Sequence, residues 1–150
     1  MQRAEVISVV AAELGVFSWE ADGNGNYGVV LGDGSQIRLL ANSGKNLLLE
    51  GQLVKEASAV FVQLNKCKDL LRMNFNRAIS EPEVLIYVPE YDELALSLDI
   101  PFESTNEDAI GEMVEAFVAN IKRNRLALKN FIDPTPGTLP SNPHSKGLAK

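Results

Sequence analysis

Cys67 is the only cysteine in the chain and His144 the only histidine. A nucleophile–base pair needs both side chains within hydrogen-bond reach. His144 lies in a stretch of Pro, Gly and Ser with no motif around it, so that chemistry finds no support. Cys67 reads instead as a packed thiol on a helix. A single cysteine also excludes an internal disulfide framework and any zinc cluster built on thiolates. Glu90, Asp92 and Glu93 resemble the acid pair of a glycosidase, but charged residues between two apolar runs read as a turn. Gly23-Asn24-Gly25-Asn26-Tyr27-Gly28 spells G-x-G-x-x-G. Pyrophosphate binding needs a helix N-terminus after those glycines, whereas Val29-Val30-Leu31 is strand-like. The same segment, Asp22-x-Asn24-x-Asn26, opens like a calcium loop. It then departs from one, with Tyr27 where glycine is required and Asp33 where the bidentate glutamate belongs. Lys122 to Lys129 is a basic cluster without interleaved aromatics, and reads as a solvated helix end. Pro140-Ser141-Asn142-Pro143 is a P-x-x-P match of a kind common in proline-rich tails. The residues call for no enzyme, no cofactor and no metal.

Composition points the same way. The chain has 150 residues with 14 basic and 20 acidic side chains, a formal charge of −6. Its pI is near 4.8. A phosphate-backbone binder needs a dense basic surface for counterion release, so nucleic acid is not expected as a partner. Apolar residues at 45% and charged ones at 23% are ordinary for a globular protein. No apolar run approaches the ~20 residues that span a bilayer, and the N-terminus lacks the basic start of a signal peptide. A cytoplasmic protein without membrane insertion is the expectation. Eleven acids and no Lys or Arg lie between Ala78 and Ile121, which leaves +5 on the rest. That acidic stretch reads as a solvated rim, or as a surface that selects basic partners.

The elements follow from periodicity. Val6, Val9, Val10 and Leu14 predict an amphipathic helix over 2–14, stopped by Gly15. Phe17, Trp19 and Ala21 alternate with Ser18 and Glu20. With Tyr27–Leu31, Gln36–Ala41 and Leu47–Val54 they predict four short antiparallel strands between about 17 and 54. Asp33-Gly34 is a hairpin signal, and Asn42–Lys45 a further turn. A second helix is predicted over about 57–78 from Phe61, Leu64, Leu71 and Phe75, ended by Pro82. Val84–Val88 and the alternating Leu94, Leu96, Leu98 and Ile100 predict two more strands. Ser104/Thr105 with Glu107/Asp108 resembles a capping box before a long helix. The stripe of that helix is Ile110, Met113, Val114, Phe117, Val118, Ile121, Leu128 and Ile132, and Asp133-Pro134 ends it. Residues 134–150 hold four of the seven prolines and predict a disordered tail. The organisation is one α+β domain over 1–133 plus that tail.

Apolar residues are in excess. Leu39-Leu40, Leu47-Leu48-Leu49 and Val84–Val88 do not alternate, as strands of a one-faced antiparallel sheet should. Their second face needs a cover, and in so short a chain a partner or a second copy is a candidate.

Three features together resemble a known family, the class I type III secretion chaperones of the Tir-chaperone (CesT-like) type. They are the helix–strands–helix–strands–helix order with an acidic pI, Leu70-Leu71-Arg72-Met73-Asn74-Phe75, and Leu94-x-Leu96-x-Leu98-x-Ile100-Pro101 before an acidic-capped final helix. The resemblance covers about residues 2–132. It implies an α+β fold whose sheet is flanked by helices, and a non-enzymatic cytoplasmic homodimer that binds no nucleotide. Such proteins bind the N-terminal, non-globular segment of a secreted effector and keep it secretion-competent, with the secretion-apparatus ATPase a candidate further partner. The resemblance implies effector binding at Val10, Phe17, Trp19, Val29, Leu31, Ile37 and Leu39. It implies a dimer interface at Leu64, Leu71, Phe75, Leu85 and Tyr87. YbjN-type bacterial proteins share the architecture, and a regulatory or adaptor role on that fold is the alternative.

Overall fold

Val6, Val10 and Leu14 recur every four residues, and this stripe closes the first helix, α1 (Arg3–Glu13), onto the protein. Gly15 ends it with φ +74°, a left-handed conformation that costs glycine nothing. The computed structural model describes residues 1–40, 46–60, 72, 82–101, 103 and 105–132. Positions 61–71 of the expected second helix, with Leu64, Cys67 and Leu71, lie outside them. So do Phe75, the turn 42–45 and the tail 134–150.

Residues 17–21 are not a strand, contrary to their alternation. A strand needs a ladder partner, and this segment runs free of the sheet until Trp19 turns back onto it. A closed loop follows, in which the Asp22 carboxylate accepts from the N–H groups of Asn24 and Asn26 at 2.8 and 3.0 Å. Five strands then form one antiparallel sheet: β1 (Tyr27–Val30), β2 (Gln36–Leu40), β3 (Asn46–Val54), β4 (Val84–Val88) and β5 (Glu93–Pro101). Their spatial order is β1-β2-β3-β5-β4, so β1 and β4 are the edges. The hairpin predicted at Asp33-Gly34 joins β1 to β2, with Gly34 at φ +87°.

The second helix, α2, starts at Ala57, and its first turn is Ala57–Val60. The β4–β5 turn caps it. The Asp92 carboxylate accepts from the Ser58 N–H at 3.0 Å and from its hydroxyl at 2.7 Å, while the Tyr87 hydroxyl donates to the same group at 2.7 Å. These bonds, led by the Ser58 hydroxyl, hold the Asp92 carboxyl below the usual carboxylate range. The final helix, α3 (Glu107–Ile132), is capped by Asn106, whose Oδ1 accepts from the Ala109 N–H at 2.9 Å. Ser104 of the expected cap lies outside the described residues, and the cap falls one position past Thr105, on Asn106, whose amide oxygen reaches the first-turn N–H.

Helices α1 and α3 pack together, and α3 crosses β3 on the same face of the sheet. Ile110, Val114, Phe117, Ile121 and Leu128 of α3 are fully buried against Ile37, Leu47, Leu49, Leu96 and Ile100. The helix lies so close that a Cβ on Gly51 would fall 2.1 Å from Ile121 Cδ1 and 3.3 Å from Phe117 Cζ. Gly51 is therefore fixed by space.

The opposite face departs from the expected apolar excess. Leu40 and Leu48 sit on it, but at its centre Arg38 pairs with Glu50 (Nε–Oε1, 3.3 Å) and forks onto Glu93 (Nη2–Oε2, 2.6 Å). The Gln52 amide also donates to Glu93, and Arg38 lies 4.7 Å from the Tyr91 ring centroid. Glu50, Gln52 and Glu93 are all buried. Burial raises the Glu50 carboxyl above its ordinary value, while Arg38 opposes the shift.

Candidate functional site

The ladder decides which groups β1 offers to a partner. Leu31 N–H donates to Ser35 O at 2.8 Å, and in an antiparallel pair bonded and non-bonded positions alternate. Val29↔Ile37 and Tyr27↔Leu39 are then bonded pairs, and Gly28↔Arg38 and Val30↔Gln36 are not. Gly28 and Val30 therefore turn their N–H and C=O groups outward, away from β2. One of these four is taken: the Trp19 indole N–H donates to Gly28 O at 2.9 Å. The indole also leans on Tyr27, centroids 5.1 Å apart at 49°, a favourable tilted aromatic contact.

Beside this edge lies an apolar groove of about 470 Å³ between α1 and the sheet, lined by Ala4, Ile7, Tyr27, Leu39 and Leu47, with Arg3 at its mouth. Phe17 stands fully in solvent and Val30 is 63% exposed, both close to β1 in the chain.

The seven residues expected to meet an effector divide. Phe17 is exposed, while Trp19, Val29 and Leu31 are half-buried at or next to β1. Val10, Ile37 and Leu39 are 0–1% exposed, which corrects their assignment as surface contacts. Alternation sends Ile37 and Leu39 to the helix-covered face, and Val10 is the centre of the α1 stripe. Leu39 still forms part of the groove wall. Of the dimer candidates, Leu85 faces the helix layer opposite Leu96 and is buried, and Tyr87 is 52% exposed at the far edge strand β4. Leu64, Leu71 and Phe75 fall outside the described residues.

A second groove was not foreseen. It measures about 570 Å³ and lies beneath the C-terminal half of α3, at the β1–β2 turn. Leu53, Val54 and Leu126 make its apolar lining, and Lys55, Lys122, Arg125 and Lys129 its rim, with Asp33 the lone acid. Arg125 Nη1 donates to Ser35 Oγ at 2.6 Å. The Asp33 carboxyl is held below its ordinary range, chiefly by the Ser35 N–H and hydroxyl, with Lys122 and Arg125 adding to it. The signal that could have found this groove is Leu126, an apolar residue off the α3 stripe amid a basic run.

The described residues thus form two helices on one face of a five-stranded antiparallel sheet, with an apolar groove beside an open edge. The chain is similar in fold to the ExsC-ExsE complex structure, with TM-score 0.65 at 18% identity, covering 88% of this chain and 97% of that one. It is similar to the HopA1-SchA chaperone-effector complex at TM-score 0.62 and 14% identity, covering 81% and 91%. It also resembles the Yersinia pestis type III secretion chaperone SycH, solved with a stable fragment of YscM2, at TM-score 0.57 and 16% identity, covering 81% and 98%. No curated protein sequence matches the chain. The sequence model of the Tir chaperone protein (CesT) family matches residues 5–125, and the chain belongs to that family. It is a type III secretion effector chaperone. Among the described residues no helix is long and apolar enough to cross a membrane.

Proposed function

We propose that this chaperone holds the N-terminal, non-globular segment of a secreted effector as an added strand on β1, with apolar side chains of that segment seated in the α1–β1 groove. The single observation that carries the reading is the β1 edge: outward-facing backbone groups at Gly28 and Val30 lie directly beside an apolar hollow. Strand addition uses main-chain bonds for affinity and side-chain pockets for selectivity, so it accepts an unfolded client and needs no nucleotide or metal. The client loses chain entropy on ordering, and burial of its apolar side chains offsets that loss. The protein acts without catalysis, in the bacterial cytoplasm, before secretion.

The test is Val30→Pro in a co-expression with the N-terminal region of a candidate effector. Val30 N–H points away from β2, so proline there withholds an edge donor and leaves the β1–β2 ladder whole. Loss of one main-chain bond and the clash of the ring should weaken client binding at least about tenfold, with the circular dichroism spectrum unchanged. Binding of an unfolded client at full strength by a folded Val30→Pro protein would refute strand addition on β1.

The protein is further proposed to be a homodimer. Val84 and Tyr87 of edge strand β4 are 53% and 52% exposed, and exposed large apolar side chains grouped on one strand suit a contact with a second copy. Light scattering should give about 33 kDa, twice the 16.4 kDa of one chain. A folded monomer across micromolar concentrations would count against it.

A further inference from the structure

The basic-rimmed groove measures about 570 Å³, and strand addition alone leaves it unused. Its chemistry is unusual for this chain. In a protein of net charge −6, four cations and one carboxylate ring a lining of Leu53, Val54 and Leu126. Leu126 is 62% exposed. An apolar hollow with a cationic rim is complementary to a ligand that presents apolar and acidic groups together. Asp33 and Arg125 are already engaged with Ser35, which leaves Lys55, Lys122 and Lys129 as the adjustable part of the rim.

Position suggests what the ligand is. The α1–β1 groove touches Tyr27 at the start of β1, and the basic groove touches Asp33 in the turn after its end. Both open on the helix-covered side of the sheet. Five residues, Gly28 to Gly32, lie between these two contacts, six steps or about 20 Å at ~3.3 Å per residue for an extended chain. A strand lying along β1 has the same rise, so its side chains about six residues beyond the first groove arrive at the second.

We propose that this groove is a second anchor for the client, selecting a segment in which acidic and leucine-like side chains follow the strand-forming stretch. This rests on the strand-addition reading and adds charge selectivity to it. An acidic chaperone would then choose an acidic client stretch through a local patch of opposite sign. The patch acts at short range, against the negative field of the whole chain, and sets the client's register.

The experiment separates the groove's chemistry from the client reading. The first probe is 1-anilinonaphthalene-8-sulfonate, which carries an apolar ring system and an anion, beside uncharged Nile red. The sulfonate should bind in a salt-dependent way and weaken at least tenfold in Lys122→Glu/Lys129→Glu. Nile red binding should survive that double variant and be lost in Leu126→Asp. All these positions are exposed, and circular dichroism confirms that each variant folds. Unchanged sulfonate affinity in the double variant overturns the proposal.

The second probe is a pair of synthetic peptides, Val-Thr-Val-Thr followed by Asp-Leu-Glu-Leu or by Lys-Leu-Lys-Leu. The acidic peptide should bind the wild type at least tenfold more tightly, and the double variant should remove the difference. Equal binding of the two, both lost in Val30→Pro, overturns the second anchor and leaves strand addition standing. If neither peptide binds while the sulfonate does, strand addition fails and the anchor role fails with it. Dissociation of a dimer by Lys122→Glu/Lys129→Glu would assign the groove to a second copy's acidic stretch, again overturning the proposal.

Discussion

Arg38→Met should destabilise the protein by about 3–5 kcal/mol, the largest loss expected from any single charged side chain among the described residues. The substitution removes a cation that bonds both Glu50 and Glu93, and both carboxylates are 4–6% exposed. A buried charge without a counter-charge is far more costly than the pair is worth. The triple variant Arg38→Met/Glu50→Gln/Glu93→Gln should therefore recover most of the loss, and urea denaturation of the two proteins measures the difference. Acid should help the single variant. Burial raises the Glu50 carboxyl in the folded protein, so ionisation of that group opposes folding at neutral pH. The penalty is relieved as pH falls through its raised folded value, and it grows once Arg38 no longer opposes it. Stability of Arg38→Met that fell steadily from pH 7 to pH 5, or a triple variant no better than the single, would show that the network is not the cause.

Phe117→Ala should cost about 3–5 kcal/mol as well, for a different reason. Phe117 is fully buried, and the sheet position beneath it is Gly51, which offers no side chain to slump into the void. Only a backbone shift of β3 or α3 could fill it, so the cavity persists and the full penalty is felt. The thermal midpoint should drop by roughly 10 °C, at about 2–4 °C per kcal/mol for a chain of this size. Phe117→Leu should lose markedly less. A drop of only a degree or two for the alanine variant would mean that α3 settles onto the sheet.

The elements that the sequence made legible are those whose pattern is set by one face. Val6, Val10 and Leu14 on α1, the α3 stripe, and the alternation from Leu94 to Ile100 each carry a single period, and each lies where that period puts it. The alternation of Phe17, Trp19 and Ala21 misled, because period two in three residues describes side-chain direction and says nothing of a ladder partner. Arg38, Glu50 and Glu93 are far apart in sequence, and only the registers β2–β3 and β3–β5 stack them on one face. The site divides in the same way. Trp19, Val29 and Leu31, which the family resemblance implied as contact residues, lie at or next to edge strand β1. Val10, Ile37 and Leu39 looked equivalent as apolar letters, but the α1 stripe buries Val10 and the β2 register turns Ile37 and Leu39 to the helix-covered face, where Leu39 reaches the groove wall. The basic groove needed the tertiary approach of α3 to the β1–β2 turn, which no local spacing encodes; only Leu126, off its stripe, hinted at it.

Trp19 has one more consequence. An open strand edge also welcomes the edge of an identical molecule, and edge-to-edge pairing is the ordinary route from a sheet to an aggregate. Here one of the four outward backbone groups of β1 is occupied by the indole, which leans at a tilt on Tyr27. The empty chaperone thus keeps a loose stopper on its own edge, held by one hydrogen bond and one ring contact. A stopper so held yields to a long chain that brings many contacts, and resists a chance encounter that brings few. It is also the chain's single tryptophan, so its emission should report whether the indole is seated on the edge or released from it.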